Sequence, residues 1–472
     1  MHRCLEIPEL VGLVCHYLRT SPDFDIDDLF GPCVVHALEL LWETVALLNL
    51  FRCLPSDAFE VHKVDGGDRT TYRMQLLRPL QKSDFERVLL HAAHVRCLFS
   101  DPEVADLSSI FSAASPLLSE SGVFPNLQSL YWMHAAEGFE YNESFLVPQL
   151  TEIFINKISP TALTLLPGIA SRCRGLAYIT LFPRGEAGLR ELSGRVISNC
   201  VCSWHAIKSL SVEIVDDVAF EHIARCPDLR YLQLCGLPST FPSSNNEVAF
   251  PMLQSLHLCT EIEAVARLLE WAGGISLVKF VAECPEWPTA DEVHRLFAAA
   301  EKGISHTTLK HFFFHNGHNT AHVATHLILS SSLRRLFCFT NSTLVSIFSA
   351  GGVDLDDTTV TDMARSWPYI QLLDFPSFYG APAPRAALQC LHAFPKYCHH
   401  LTKLCISFNH PAVPDILASH AGWKDVESLI IVQYVVSPIY QRESQSDSDV
   451  LETHATKRQA GAPGKYQRAG DL

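Results

Sequence analysis

Along most of the chain one short phrase returns: an apolar residue, two variable residues, an apolar residue, one variable residue, an apolar residue. It runs weakly through Val95, Leu98, Ser100 and then plainly through Leu127, Leu130, Trp132; Leu150, Ile153, Ile155; Leu176, Ile179, Leu181; and Ile207, Leu210, Val212. Leu229, Leu232, Leu234 and Leu253, Leu256, Leu258 follow, then Leu277, Phe280, Ala282; Leu309, Phe312, Phe314; and Leu333, Leu336, Cys338. The series closes with Ile370, Leu373, Phe375; Leu401, Leu404, Ile406; and Val426, Leu429, Ile431. In these thirteen copies the central residue recurs every 22 to 37 positions. The last two apolar positions of a copy are two residues apart, so they share one face of a short strand. The intervening stretches 216–226, 261–274, 291–302 and 383–398 instead space their apolar residues as helices do. Thr289 with Glu292 forms a capping box before one of them, and Cys226-Pro227 and Gly273-Gly274 punctuate the helix ends.

A strand, a turn and a helix recurring at about 20–29 residues is the leucine-rich-repeat unit. One unit cannot bury its own apolar face, so neighbours must stack. The expected fold is an α/β solenoid with parallel strands on the concave side and helices on the convex side, over residues 94–437. Residues flanking the last two apolar positions then line the concave side. Among them Tyr131, Phe154, Tyr178, Tyr231, His257, Phe313, Arg335 and Phe337 are the candidate partner contacts, since aromatic residues and Arg dominate interface energetics. The loops at the strand ends are the alternative contact surface.

Composition narrows the partner. Apolar residues are 48% and charged residues 18% of 472, enough for a large core. A net charge of −15 argues against nucleic acid and against an anionic membrane surface. No apolar run is long enough to span a bilayer, and Glu6 and Glu9 interrupt the N-terminal run that superficially resembles an export signal. The 16 cysteines are scattered singly, as buried reduced thiols of a cytoplasmic or nuclear protein are. In those compartments the glycosylation-type triplets at Asn142 and Asn341 stay unmodified. The tail, residues 438–472, is polar and is expected to be disordered.

No phosphate loop, nucleophile elbow or dinucleotide fingerprint occurs, so no catalytic residue and no cofactor is expected. His306, His311, His315, His318, His322 and His326 cluster, and Cys200, Cys202 and His205 form a second trio. Neither has a complete ligand set, and no metal is expected. Asp23, Asp25, Asp27 and Asp28 lack the glycine and glutamate of a calcium loop.

Residues 1–51 precede the repeats, with apolar residues at Leu5, Ile7, Leu10, Val14 and Leu18 and later Leu38, Leu41 and Trp42. Leu5-x-Ile7-Pro8-Glu9-Leu10, followed by the Leu38 to Glu43 stretch, resembles an F-box. With Phe51 to Asp57, Arg78 to Leu80, Asp84 to Arg87, Val95 to Leu98 and the repeats, the chain resembles the F-box/leucine-rich-repeat proteins of mushroom-forming fungi. That resemblance implies a small helical unit docking on a Skp1-type adaptor of a cullin ubiquitin ligase, through Leu5, Ile7, Pro8, Leu10, Val14 and Leu18. It also implies repeats that hold a protein substrate, and no catalysis by the chain itself. The chain departs from the family between Leu18 and Ala37, where Pro22 and Gly31-Pro32 interrupt the expected middle helix and shorten the box. The other reading of this segment is a helix that caps the open end of the solenoid. Residues 52–93 are expected to be a helical linker, with a capping box at Ser83 and Glu86.

Overall fold

The computed structural model describes residues 41–433 apart from 66–69, 101–104, 119–122, 134–144, 184–188, 242–248, 317–326, 350, 377–384 and 409–427. Its strands are β1 (Thr44–Ala46), β2 (Phe59–Asp65), β3 (Thr70–Leu76), β4 (Cys97–Ser100), β5 (Ala105–Asp106), β6 (Ser129–Trp132), β7 (Glu152–Ile158), β8 (Tyr178–Pro183) and β9 (Ser209–Val212). After these come β10 (Tyr231–Leu234), β11 (Ser255–Cys259), β12 (Lys279–Cys284), β13 (His311–Asn316), β14 (Leu344–Phe348), β15 (Leu372–Asp374), β16 (Lys403–Phe408) and β17 (Ser428–Gln433). Fourteen of them form one sheet in chain order, with β2, β3 and β5 set apart in a second sheet. Every neighbouring pair in the large sheet is parallel. Parallel neighbours need a crossover, and helices such as Pro160–Arg172, Asp217–Arg225, Ile262–Ala272 and Ala290–Gly303 supply it. The chain is therefore an α/β leucine-rich-repeat solenoid.

The repeat phrase determines the register. Leu130, Ile153, Ile179, Leu210, Leu232 and Leu256 lie opposite one another on successive rungs. All are at most 1% exposed, as are the first and third apolar residues of the middle copies, Leu229 and Leu234 for example. Burial alternates along β6, β10, β11 and β13, with the phrase residues inside. In the run Phe312-Phe313-Phe314 the outer two enter the core and Phe313 faces out.

A second regularity lies just before each strand. The carbonyl of one residue accepts from two consecutive N–H groups of the next rung: Lys208 O from Arg230 and Tyr231, Arg230 O from Gln254 and Ser255. The pattern runs unbroken for eleven steps from Arg96 to Lys403. It satisfies the backbone where the chain enters the sheet, which buried polar groups require.

That ladder corrects one repeat. The tenth copy is not Leu333, Leu336, Cys338, because the rung after Lys310 is Thr343-Leu344. Leu333 ends a short helix (Ser330–Leu333), and Leu336 and Cys338 belong to a 3₁₀ turn (Arg334–Cys338). The spacing Leu333, Leu336, Phe339 packs equally well from a helical face, and all three are buried. The true strand, β14, carries β-branched Val345 and Ile347, but buried Ser342 stands where the phrase has an apolar residue.

The N-terminal boundary also moves. β1 pairs with β4, Val45 opposite Leu98, so among the described residues the solenoid sheet already includes Thr44–Ala46, ahead of residue 94. Trp42, expected inside the F-box-like unit, is buried here and stacks on His91 with ring centroids 4.1 Å apart. Residues 52–93 are not a purely helical linker. β2 and β3 form an antiparallel hairpin, Val61 opposite Met74, whose apolar residues alternate as a half-buried strand requires. The capping box beyond it joins Gln81 and Asp84 on the 3₁₀ turn Lys82–Phe85, not Ser83 and Glu86, and the helix Glu86–Ala92 continues from there. The box at Thr289 and Glu292 is present. Residues 1–40 and 434–472, and with them the F-box phrase and the tail, lie outside the described residues.

Candidate functional site: the helix-free face of the sheet

Side chains that alternate with the core residues emerge on the sheet face opposite the helices, two or three per rung. Parallel pairing stacks each position on its equivalent about 4.8 Å away, so like residues make rows. The row nearest the N-terminal end is aromatic. Phe99 and Tyr131 stack with centroids 4.6 Å apart, and Tyr131 and Phe154 follow at 6.1 Å. Tyr178, opposite Glu152 on the next rung, is 46% exposed, the largest apolar exposure among the described side chains of this face. Rings held in line by a backbone ladder lose little freedom on binding, which suits them as contacts.

Polar groups fix these rings. The Tyr131 hydroxyl donates to Glu152 Oε1 at 2.6 Å, and the Ser129 hydroxyl donates to Glu152 Oε2 at 2.8 Å. Further on, Gln233 Oε1 accepts from Ser211 at 2.8 Å and from Tyr231 at 2.9 Å. Burial pushes the Tyr231 phenol up, so it remains a neutral donor. His257 Nε2 lies 3.2 Å from Glu283 Oε1, close but off-line for a hydrogen bond. Burial depresses the His257 pKa more than the nearby carboxylate raises it, so the ring is neutral near pH 7. Past it, Lys279 Nζ sits 5.4 Å from the centre of the Phe313 ring. At the far end Lys403 Nζ and Asp374 Oδ2 are 4.0 Å apart.

Six of the eight expected contact residues therefore share one face: Tyr131, Phe154, Tyr178, Tyr231, His257 and Phe313. Arg335 and Phe337 do not, because they lie on the 3₁₀ turn Arg334–Cys338 and not on a strand. Arg335 Nη1 bonds Glu301 Oε2 at 2.9 Å, and Phe337 meets Trp367 edge-on at 5.3 Å on the helical side. The adaptor contacts Leu5, Ile7, Pro8, Leu10, Val14 and Leu18 lie outside the described residues. Phe99, which extends the aromatic row, occupies the same phrase position as Tyr131 in the weakest copy. Phe348, 5.9 Å from His315, was hidden with its strand.

Among the described residues, no group of three or more His, Cys, Asp and Glu side chains is placed to share a metal ion. His306 bonds the Glu301 carbonyl at a helix end, and His205 meets His222 edge-on at 5.5 Å. Cys200 is buried with its thiol pushed up to about 12. No helix among the described residues is long and apolar enough to cross a membrane.

No family model matches the chain, and no curated protein matches it. A chain in the crystal structure of the Rad7 and Elc1 complex in yeast is similar over 80% of this chain and 91% of its own, at 13% identity and a TM-score of 0.38.

Proposed function

We propose that this chain binds another protein on the helix-free face of its sheet, as the substrate-recognition subunit of a Skp1–cullin–F-box ubiquitin ligase. The observation that carries the binding reading is the aligned row Phe99, Tyr131, Phe154, with exposed Tyr178 beside it in the neighbouring row opposite Glu152. Rings so placed supply contact area at small entropic cost. The ligase reading rests on the phrase Leu5-x-Ile7-Pro8-Glu9-Leu10 upstream of such repeats. In this role the chain does no chemistry. It holds a target so that a lysine of that target meets the ubiquitin-conjugating enzyme locally, which is a proximity effect. Its thiol-rich core suits the reducing cytoplasm or nucleus. Co-purification of the full chain with Skp1, lost on Leu5→Asp with Ile7→Asp, is the expected result; no co-purification, or none lost, refutes the adaptor role.

A specific observation favours the second reading, a leucine-rich-repeat scaffold with no ligase link. Trp42 and Val45 pack in the solenoid core. Co-purification decides between the two while leaving the binding face untouched.

A further inference from the structure

Resting on the reading of this face as the binding surface, we infer that its aromatic end recognises a basic side chain, Arg or Lys, projecting from an otherwise apolar partner segment, with Glu152 as the receiving group. Glu152 stands in register between Ser129 and Tyr178, with Phe154 two residues on along the same face. Its two oxygens are already held by the hydroxyls of Ser129 and Tyr131. Those donors are neutral, so they fix the carboxylate in place without cancelling its charge. A carboxylate accepts about four hydrogen bonds, so about two positions remain for an incoming donor.

Among the described side chains nothing on this part of the face competes. From β4 to β9 the face positions are Cys97 and Phe99, Ser129 and Tyr131, then Glu152, Phe154 and Asn156, then Tyr178, Thr180 and Phe182, then Ser209 and Ser211. None is a cation, and among the described residues no cation pairs with Glu152. The far half of the face is different. There Glu283 has His257 beside it and Asp374 has Lys403. Of the strand carboxylates Glu152, Glu283 and Asp374 on this face, Glu152 is thus the one with no cationic side chain beside it among the described residues. Charge complementarity selects a cation, and the rings around it select the geometry. A guanidinium or ammonium group seated at the carboxylate lies against Tyr131, Phe154 or Tyr178, gaining cation–π attraction and a charge-assisted hydrogen bond together. The stem of Arg or Lys is apolar and packs on the same rings.

The test uses the full chain immobilised against a random dodecapeptide display library, with affinities of recovered peptides measured by fluorescence anisotropy. The expected outcome is enrichment of Arg or Lys beside Leu or an aromatic residue. Glu152→Gln, which keeps both hydroxyl contacts possible, should weaken those peptides about tenfold to a hundredfold. Glu221→Gln on the helical side should leave their affinity unchanged. Circular dichroism melting of each variant verifies folding. Recovered peptides that are acidic or wholly apolar, peptides indifferent to Glu152→Gln, or self-association in place of peptide binding would overturn the inference. If such peptides are still lost on Tyr178→Ala, the face remains the binding surface and only the cation assignment fails. If no ligand depends on the face at all, both fail.

Discussion

Phe99 and Tyr131 sit on neighbouring parallel strands with their rings 4.6 Å apart and their planes within 16°. The stack is a direct product of register, because Phe99 and Tyr131 are paired residues of β4 and β6. A double-mutant cycle with Phe99→Leu and Tyr131→Leu should show a coupling of ~0.5–1.5 kcal/mol in urea unfolding. Tyr131→Phe should cost ~1 kcal/mol, since it keeps the ring and removes only the donor to Glu152. Zero coupling would mean that the rings do not meet in solution.

The rung reading makes neighbouring residues energetically opposite. Leu232 is fully buried between Leu210 and Leu256, whereas Gln233 faces outward on the same strand. Leu232→Ala should destabilise by ~2–5 kcal/mol. Gln233→Ala should cost ~1 kcal/mol, the net worth of its hydrogen bonds to Ser211 and Tyr231. Equal effects in urea titrations would deny the alternation.

Helix packing on the convex side has one position without tolerance. A Cβ at Gly303, at the end of the helix Ala290–Gly303, would collide with the backbone carbonyl of Leu269 in the helix Ile262–Ala272. Gly303→Ala should therefore lower stability by ~1–3 kcal/mol, despite the higher helix propensity of Ala. A raised melting temperature would show that these helices stand further apart.

At the N-terminal end the acid limb of stability should carry the mark of Asp84. Hydrogen bonding from Arg78, together with the Gln81 N–H, lowers its carboxyl from 3.8 to about 2. A carboxylate whose pKa falls on folding stabilises the fold above its unfolded pKa, and that gain is lost as the pH drops through the folded value. Asp84→Asn should thus be less stable than the wild type at pH 7, with the difference in urea midpoint shrinking between pH 4 and pH 2. A difference independent of pH would remove Asp84 from the ion-paired core of this segment.

The solenoid was legible because its signal repeats. Twelve of the thirteen phrases fall on strands of the sheet, since a core residue must recur at the same two positions on each rung to meet its neighbours. What escaped had physical reasons. At β14 a small buried Ser342 replaces the leading apolar residue, while Leu333 and Leu336 satisfy the same spacing from a helix. At β1, Trp42, Val45 and Leu47 do carry the phrase, but helical spacing through Leu38, Leu41 and Trp42 overlaps it. The hairpin β2–β3 shows period-two alternation that a short, charge-rich segment states only faintly. On the binding face the residue types were readable from alternation. The hydrogen bonds that single out Glu152 were not, because they join rungs 21 and 23 residues apart.

Partners are expected to meet the strands and not the helices. Photo-crosslinking in cells tests it at two exposed positions on opposite sides: Tyr178 on the sheet face, 46% exposed, and Val218 on the helix Asp217–Arg225, 69% exposed. With a benzophenone amino acid at each site in turn, covalent adducts to other proteins are expected from position 178, to be suppressed by Phe154→Ala, and to be absent from position 218. Adducts formed at 218 and not at 178 would contradict the binding face outright.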